Sequence, residues 1–133
     1  MTDPPLSALL AMIPYAVTLG IELVSASPEE VVGRLAWREE LTTAGGALHG
    51  GVLMSLADNL GGVCAYLNLP SGAGTATISS STNFMRGVRS RNIVGTARPL
   101  PVGRTVIVVQ TDLCDDEGRL AVQTTQAQAV TSP

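Results

Sequence analysis

Residues 48–62 read LHGGVLMSLADNLGG, and this segment holds the residues whose types and spacing are best suited to chemistry. A helix that begins near Gly50 points its free backbone N–H groups, and the positive end of its dipole, at whatever lies in front of it. Glycine lets a ligand approach that backbone closely, and such donors suit a carbonyl oxygen that gains negative charge on attack. His49 stands at the same entrance, although a histidine before a helix is also typical of a simple cap.

Asp58 places a carboxylate in the middle of this apolar segment. Burying a carboxylate costs free energy unless the group is paired or hydrogen-bonded. Ionisable groups in such surroundings cluster at functional sites, so Asp58 is a candidate functional residue. The structural alternative is that Asp58 caps a neighbouring loop or pairs with an arginine. Residue chemistry alone leaves both interpretations open.

The spacing of Gly51 and Asp58 constrains how they could act together. They are seven residues apart, close to two helical turns, and therefore share one face of the helix. At about 1.5 Å per residue they lie roughly 10 Å apart along the axis, too far for both to act on one carbonyl. A second copy of the helix, running antiparallel, would bring Asp58 of one subunit opposite His49–Gly51 of the other. This hypothesis predicts two equivalent sites per dimer.

Composition narrows the class of protein. The chain has 133 residues, of which 45% are hydrophobic and 14% charged, which predicts one folded domain over residues 1–133. Residues 1–17 are interpreted as an N-terminal extension with a short helix. The net charge is −3 and no basic run contains interleaved aromatics, so nucleic acid is a poor candidate partner. Without a signal peptide or an 18-residue apolar run, the sequence predicts a cytoplasmic protein with no membrane partner. The cysteines, Cys64 and Cys114, are predicted to be small buried hydrophobic residues rather than metal ligands.

The hydrophobic pattern predicts an α+β fold in which a curved antiparallel sheet wraps one long helix. The helix, from Val52 to about Leu67, is apolar almost all round and is therefore expected to be buried. In the last strand the polar positions shift, which predicts a bulge near Thr124–Thr125. The other expected elements are a short helix over 5–13 and strands over 20–26, 31–38, 75–85, 91–100, 104–113 and 119–130.

A row of small polar residues alternates along the predicted strand 75–85. If the strand is regular, these side chains share one face, which would be either a ligand-lining surface or an ordinary solvent-facing one. The residues in the row are Thr75, Thr77, Ser79, Ser81 and Asn83.

The sequence resembles a known family, the hotdog-fold acyl-CoA thioesterases, and in particular their PaaI-like group. The family motif has a glycine three residues before an HGG and an aspartate nine residues after its histidine. These positions correspond to Gly46, His49-Gly50-Gly51 and Asp58. The resemblance covers roughly residues 18–130 and continues through TNFMRGVRSRNIVGTARPLPVGRT and DDEGRLAVQTTQAQ.

The resemblance implies a hotdog fold that dimerises edge to edge, often with dimers pairing into tetramers. It implies that Asp58 is the general base or the nucleophile, that the helix start at His49 and Gly51 polarises a thioester carbonyl, and that Thr77 holds the water. It also implies an acyl-CoA substrate and no metal or organic cofactor. The further substrate- or CoA-binding candidates are Gly50, Ser81, Asn83, Arg86, Arg89, Arg91 and Arg104.

One position departs from the family pattern. Many relatives have an asparagine six residues before the histidine, where this chain has Thr43, whose hydroxyl is shorter and lacks the second donor. The leading hypothesis is an enzyme that hydrolyses an acyl-CoA to free acid and CoA. The alternatives are a hotdog protein that binds acyl-CoA without turning it over and, more weakly, a dehydratase, which needs its histidine and acid differently spaced.

Overall fold

The computed structural model describes residues 5–89 and 91–132. Its chain order is two short helices, two strands, a turn of 3-10 helix, one long helix and four strands. The helices are α1 (Leu6–Ala11), α2 (Pro14–Leu19) and α3 (Gly50–Leu67), the 3-10 turn is Glu39–Leu41, and the strands are β1 (Glu22–Ala26), β2 (Val31–Ala36), β3 (Gly74–Phe84), β4 (Asn92–Pro99), β5 (Val106–Cys114) and β6 (Leu120–Thr131).

The six strands form one antiparallel sheet in the order β1-β2-β4-β5-β6-β3. Along β5 the residues alternate between buried and half-exposed, because one face of the sheet packs on α3. Leu56 and Leu60 of the helix and Ile107 and Leu113 of β5 are fully buried in this core. The predicted α+β hotdog arrangement, a sheet wrapped around a long helix, is therefore confirmed.

The N-terminal region contains two helices where one was predicted. Pro14 lies at the first position of α2, and proline disfavours a helical backbone at the residue before it. Ile13 is accordingly extended, with φ −121° and ψ 90°, and separates α1 from α2. The Tyr15 hydroxyl forms a hydrogen bond of 2.9 Å with that of Ser55, which ties α2 to α3. The first four residues of the predicted extension lie outside the described residues.

The expectation that α3 is buried all round is wrong. The sheet covers one side of the helix, and α1 and α2 cover part of the other. Met54 and Tyr66 are therefore 42% and 43% exposed in the single chain, and Asp58 lies on the same exposed stripe. None of the described helices is long and apolar enough to cross a membrane.

The predicted bulge near Thr124–Thr125 is also wrong. Register between β3 and β6 is continuous through that part of β6, and the irregularity lies in β3, where Ile78 is the extra residue between Thr77 and Ser79. A one-residue bulge moves every later side chain of its strand to the other face of the sheet. The polar row of β3 is consequently split between the two faces of the sheet.

The two cysteines differ in their surroundings. Cys64 of α3 is buried as predicted, and this burial raises the pKa of its thiol to about 11. Cys114 at the end of β5 is half-exposed, so the prediction of burial is wrong for that residue. Both thiols are free.

Candidate functional site

The segment before α3 is held by backbone hydrogen bonds from two directions. The N–H of His49 donates to the carbonyl of Leu41 at 2.8 Å, and the N–H of Leu48 donates to that of Val88 at 2.9 Å. The indole N–H of Trp37 donates to Gly46 O at 3.0 Å. These bonds fix the point at which the helix begins, and with it the direction of its first N–H groups.

His49 is the N-cap of α3 and uses its side chain for capping. Its Nδ1 accepts the N–H of Gly51 at 2.8 Å, and its carbonyl accepts the N–H groups of Val52 and Leu53. The sequence predicted Gly51 as an oxyanion donor, but this N–H is already engaged. Of the four N–H groups at the start of the helix, that of Gly50 is the one that remains for a ligand among the described residues.

The cap also determines where His49 carries its proton. Because Nδ1 accepts a hydrogen bond, the neutral imidazole has its hydrogen on Nε2. The His49 side chain is exposed in the single chain, so this second N–H is accessible. The helix entrance therefore offers two donors, one from a backbone and one from an imidazole.

Asp58 lies two turns further along α3 and is exposed in the single chain, so the prediction of a buried carboxylate is wrong. Its Oδ1 accepts a hydrogen bond of 3.3 Å from Nε2 of Gln126 on β6. Among the described residues it neither caps a loop nor pairs with an arginine, which were the structural alternatives. Its position is set by the long helix and by one buried amide.

A cavity of about 310 Å³ opens beside Asp58. Polar side chains from α3, β3 and β6 line part of it, and Thr77 is among them. Apolar side chains from the N-terminal region and α3 line the rest, namely Leu9, Met12, Ile13 and Val63 together with the ring of Tyr66. The cavity thus combines a carboxylate and a hydroxyl with walls suited to an apolar group.

Thr77 is held by a short chain of hydrogen bonds. Nε2 of Gln128 donates to its hydroxyl oxygen at 2.8 Å, while Oε1 of the same amide accepts from the Thr75 hydroxyl at 3.1 Å. Because the Thr77 oxygen accepts from the amide, its own hydrogen is available to another acceptor. Gln128 is 2% exposed, so this arrangement is shielded from water on the strand side.

The structure brings Asp58 and Thr77 to one cavity but leaves other candidates elsewhere. His49 and Gly50 do not line this cavity. Ser81 and Asn83 pair across the strands with Thr125 and Gln123, and beyond the bulge they lie on the sheet face opposite Thr77. Their expected place on one face with Thr77 is therefore wrong. Thr43 is exposed in the turn before α3.

The four arginines that the resemblance suggested for CoA binding differ from the other four. Arg34, Arg38, Arg98 and Arg119 each form a salt bridge. The remaining four are exposed and make no ion pair within the described parts of the chain. They are Arg86, Arg89 and Arg91, which follow β3, and Arg104, in the β4–β5 connection.

Sequence reasoning missed Gln126 and Gln128. Both amides are buried beside the candidate residues, at 1% and 2% exposure. The polar shift in β6 was noticed but interpreted as a bulge. An unbroken alternation from Val122 to Val130 would have placed both glutamines on the core side of the strand.

Comparison with known proteins finds relatives described as thioesterases and esterases. The family model described as the thioesterase superfamily matches residues 45–122. Human acyl-coenzyme A thioesterase 13 is 34% identical over 105 residues, covering 77% of this chain and 74% of the human protein. The structure of a thioesterase from Haemophilus influenzae superimposes with a TM-score of 0.91 at 25% identity, covering 98% of this chain and 93% of that one. A thioesterase mutant from Pseudomonas aeruginosa gives 0.90 at 27% identity, covering 98% and 96%.

Proposed function

The chain belongs to the thioesterase superfamily, and we propose that it hydrolyses an acyl-CoA to free acid and CoA. The observation that carries this proposal is the placement of Asp58 and Thr77 together at a cavity with apolar walls. A carboxylate beside a hydroxyl suits the activation of water, and the apolar walls suit the acyl group.

In the proposed reaction, Asp58 accepts a proton from a water molecule whose oxygen attacks the thioester carbonyl carbon. The Thr77 hydroxyl donates to that water and leaves one lone pair for the attack. The N–H of Gly50 and Nε2–H of His49 stabilise the negative carbonyl oxygen. The C–S bond then breaks, and the proton held by Asp58 passes to the departing sulfur, which restores the carboxylate.

We place each site between two copies of the chain. Gly50 and Asp58 are eight residues apart on α3, which is about 12 Å along the axis. One chain therefore cannot present both groups to a single carbonyl. A cavity that contains Asp58 but neither His49 nor Gly50 supports the same inference.

The position of β3 supports a specific arrangement of the two copies. β3 is hydrogen-bonded to β6 on one side and lies at the edge of the described sheet. Its Thr77 region lies at the cavity with Asp58, whereas Phe84, at its other end, packs beside Gly50. Antiparallel pairing of β3 with a second β3 would bring the partner's Phe84 end, and with it the partner's helix entrance, towards Asp58. An unpaired strand edge is suited to such pairing.

The unpaired arginines support CoA as the leaving group. Arg86 and Arg89 lie two and five residues after Phe84, which packs beside Gly50 at the start of α3. Arginine is well suited to phosphate because its guanidinium can donate two parallel hydrogen bonds. We therefore propose that these two side chains bind the phosphates of CoA near the helix entrance.

A thiol-release assay across short, long and aromatic acyl-CoAs tests the proposal. Loss of a general base lowers turnover by about 10²- to 10⁴-fold, and we expect this for Asp58→Asn. Asp112→Asn is the matched control, because Asp112 also accepts a glutamine N–H, from Gln123, but on the opposite face of the sheet. Unchanged hydrolysis by Asp58→Asn would contradict the mechanism. Binding of an acyl-CoA analogue without thiol release by the wild-type protein would favour the non-catalytic alternative.

A further inference from the structure

Two buried glutamines of β6 are each aimed at one of the two polar groups of the proposed site. We propose that Gln126 and Gln128 are positioning residues, which fix the orientation of the Asp58 carboxylate and of the Thr77 hydroxyl for reaction with water. This inference rests on the proposed function, in which those two groups act on the attacking water.

Gln126 occupies a position where an apolar side chain would be less costly. Its side chain is 1% exposed, and its Oε1 is buried with no hydrogen-bond partner among the described residues. A buried carbonyl oxygen without a donor lowers stability, so space-filling alone does not explain an amide here. The bond that the amide does form runs from Nε2 to Oδ1 of Asp58. That bond holds one carboxylate oxygen and leaves Oδ2 to accept a proton.

Gly61 of α3 makes room for this amide. A Cβ atom at Gly61 would overlap Oε1 and the amide carbon of Gln126. Glycine in the middle of a helix is less stable than alanine, yet the chain has glycine here and an unsatisfied amide against it. The glycine at position 61 and the unsatisfied amide are both explained if the protein requires the Gln126 amide at this location, where it faces Asp58.

Gln128 acts on Thr77 by setting the direction of its hydroxyl. Thr75 donates to Oε1 of Gln128, which fixes the amide so that Nε2 faces Thr77 and donates to it. The Thr77 oxygen is then an acceptor on the strand side, and its hydrogen is directed away from Gln128. Since Thr77 lines the cavity, that hydrogen can be donated to a water beside Asp58.

The test compares Gln126→Met with Gln123→Met in the 133-residue chain. Methionine is similar in length to glutamine but has no N–H donor. Gln123 lies on the same strand and donates to Asp112 at 2.9 Å on the opposite face, which makes it a matched control. For Gln126→Met we expect kcat to fall roughly ten- to a hundredfold with KM within about twofold, as for loss of a hydrogen bond to a charged group.

Gln128→Met is expected to lower kcat by roughly tenfold with KM within about twofold, because it removes the hydrogen bond that orients the Thr77 hydroxyl. Wild-type kcat in Gln126→Met would overturn the inference while leaving Asp58 as the base. A rise in KM alone, or an equal loss in Gln123→Met, would also overturn it. If the wild-type protein releases no thiol from any acyl-CoA, the proposed function fails first and the positioning role falls with it.

A second measurement does not depend on the fold of the Gln126 variant. The NMR signals of the Gln126 side-chain amide protons are compared between the wild-type protein and two variants that keep Gln126. We expect these signals to shift in Asp58→Asn but not in Asp112→Asn. The amide of Gln123 is expected to show the reverse. Gln126 amide signals that stay unchanged in Asp58→Asn would overturn the proposed contact.

Discussion

Nδ1 of His49 accepts the backbone N–H of Gly51 at 2.8 Å, so the histidine at the start of α3 occupies one of the helix's own donors. The bond orients the imidazole and directs its remaining N–H outward. Because this bond engages the N–H of Gly51, the proposed oxyanion donor is the N–H of Gly50 instead. Gly50, the first residue of α3, has an N–H with no carbonyl of its own helix to bond.

Gly50→Pro removes this N–H with little change to the helix. Proline is favoured at the first helical position, and His49 already has the extended backbone, with φ −61° and ψ 136°, that a residue before proline prefers. We expect kcat to fall by about 10²- to 10³-fold, as for loss of one oxyanion donor. Kinetics with a saturating acyl-CoA, beside thermal unfolding, measure the two effects separately.

The matched variant is Gly50→Ala, which adds bulk but keeps the N–H. Its Cβ would lie 3.4 Å from the ring of Phe84, an ordinary packing distance. The loss in Gly50→Pro is expected to exceed that in Gly50→Ala by at least about tenfold. Equal losses would show that bulk at the helix entrance, rather than the N–H, matters.

Arg89→Ala tests recognition of CoA. If Arg89 binds a phosphate, the variant should raise KM for an acyl-CoA by about fivefold, the effect of one exposed charge pair, and weaken its dependence on salt. KM for the matching N-acetylcysteamine thioester, which has no phosphate, should stay the same. Arg34→Ala is the control, because Arg34 of β2 pairs with Glu22 of β1. An equal change with both substrates would argue against phosphate binding.

Gly62→Leu tests whether the cavity holds the acyl group. Gly62 lines the cavity, and a Cβ there would meet no atom within 4 Å, so a leucine side chain has space to enter. We expect kcat/KM to fall for long and aromatic acyl-CoAs and to be retained for acetyl-CoA. The helix itself should gain up to about 1 kcal/mol from replacing glycine. A loss independent of acyl size would place the acyl group elsewhere.

Asp115 stabilises the β5–β6 hairpin in a pH-dependent way. Burial by itself raises the pKa of this carboxyl, but hydrogen bonds from the backbone and guanidinium of Arg119 and from the N–H of Glu117 outweigh it, and the pKa is lowered. Such a group contributes stability above its unfolded pKa and loses that contribution as pH falls through the folded pKa.

Asp115→Asn should therefore destabilise the protein at pH 7, and the difference from wild type should shrink as the pH falls below about 4. Denaturant unfolding at a series of pH values measures it, with the exposed Glu29→Gln as control. A difference that stays constant down to pH 2 would mean that the contribution does not come from ionised Asp115.

The sequence predicted the helices and strands of the sheet region well, for physical reasons that act locally. The apolar run ending near Leu67 is too long for a strand, and turn residues separate the later strands. Pro14 shows the limit of this reasoning, because its effect on the backbone of Ile13 divides one predicted helix into two. Leu9 of α1 and the connecting residues Met12 and Ile13 supply walls of the cavity, which no periodicity within residues 5–13 indicated.

Burial and register could not be predicted because they depend on neighbouring elements. Asp58 was expected to be buried because its helix is apolar on every side, whereas the sheet covers only one side of α3 in the single chain. The bulge at Ile78 is a mismatch between two strands, and the pattern of β6 alone located it on the wrong strand. Because of the same error, the sequence analysis did not predict that Gln126 and Gln128 face the core, where they contact Asp58 of α3 and Thr77 of β3.

The central claim is that one chain supplies Asp58 and the other supplies the helix entrance at Gly50. Chains carrying Asp58→Asn and Gly50→Pro, with different affinity tags, can be co-expressed and purified as mixed dimers. One of the two sites would then contain an intact Asp58 and an intact Gly50, so we expect about half of the wild-type activity although each parent is nearly inactive. Mixed dimers as inactive as their parents would contradict the account.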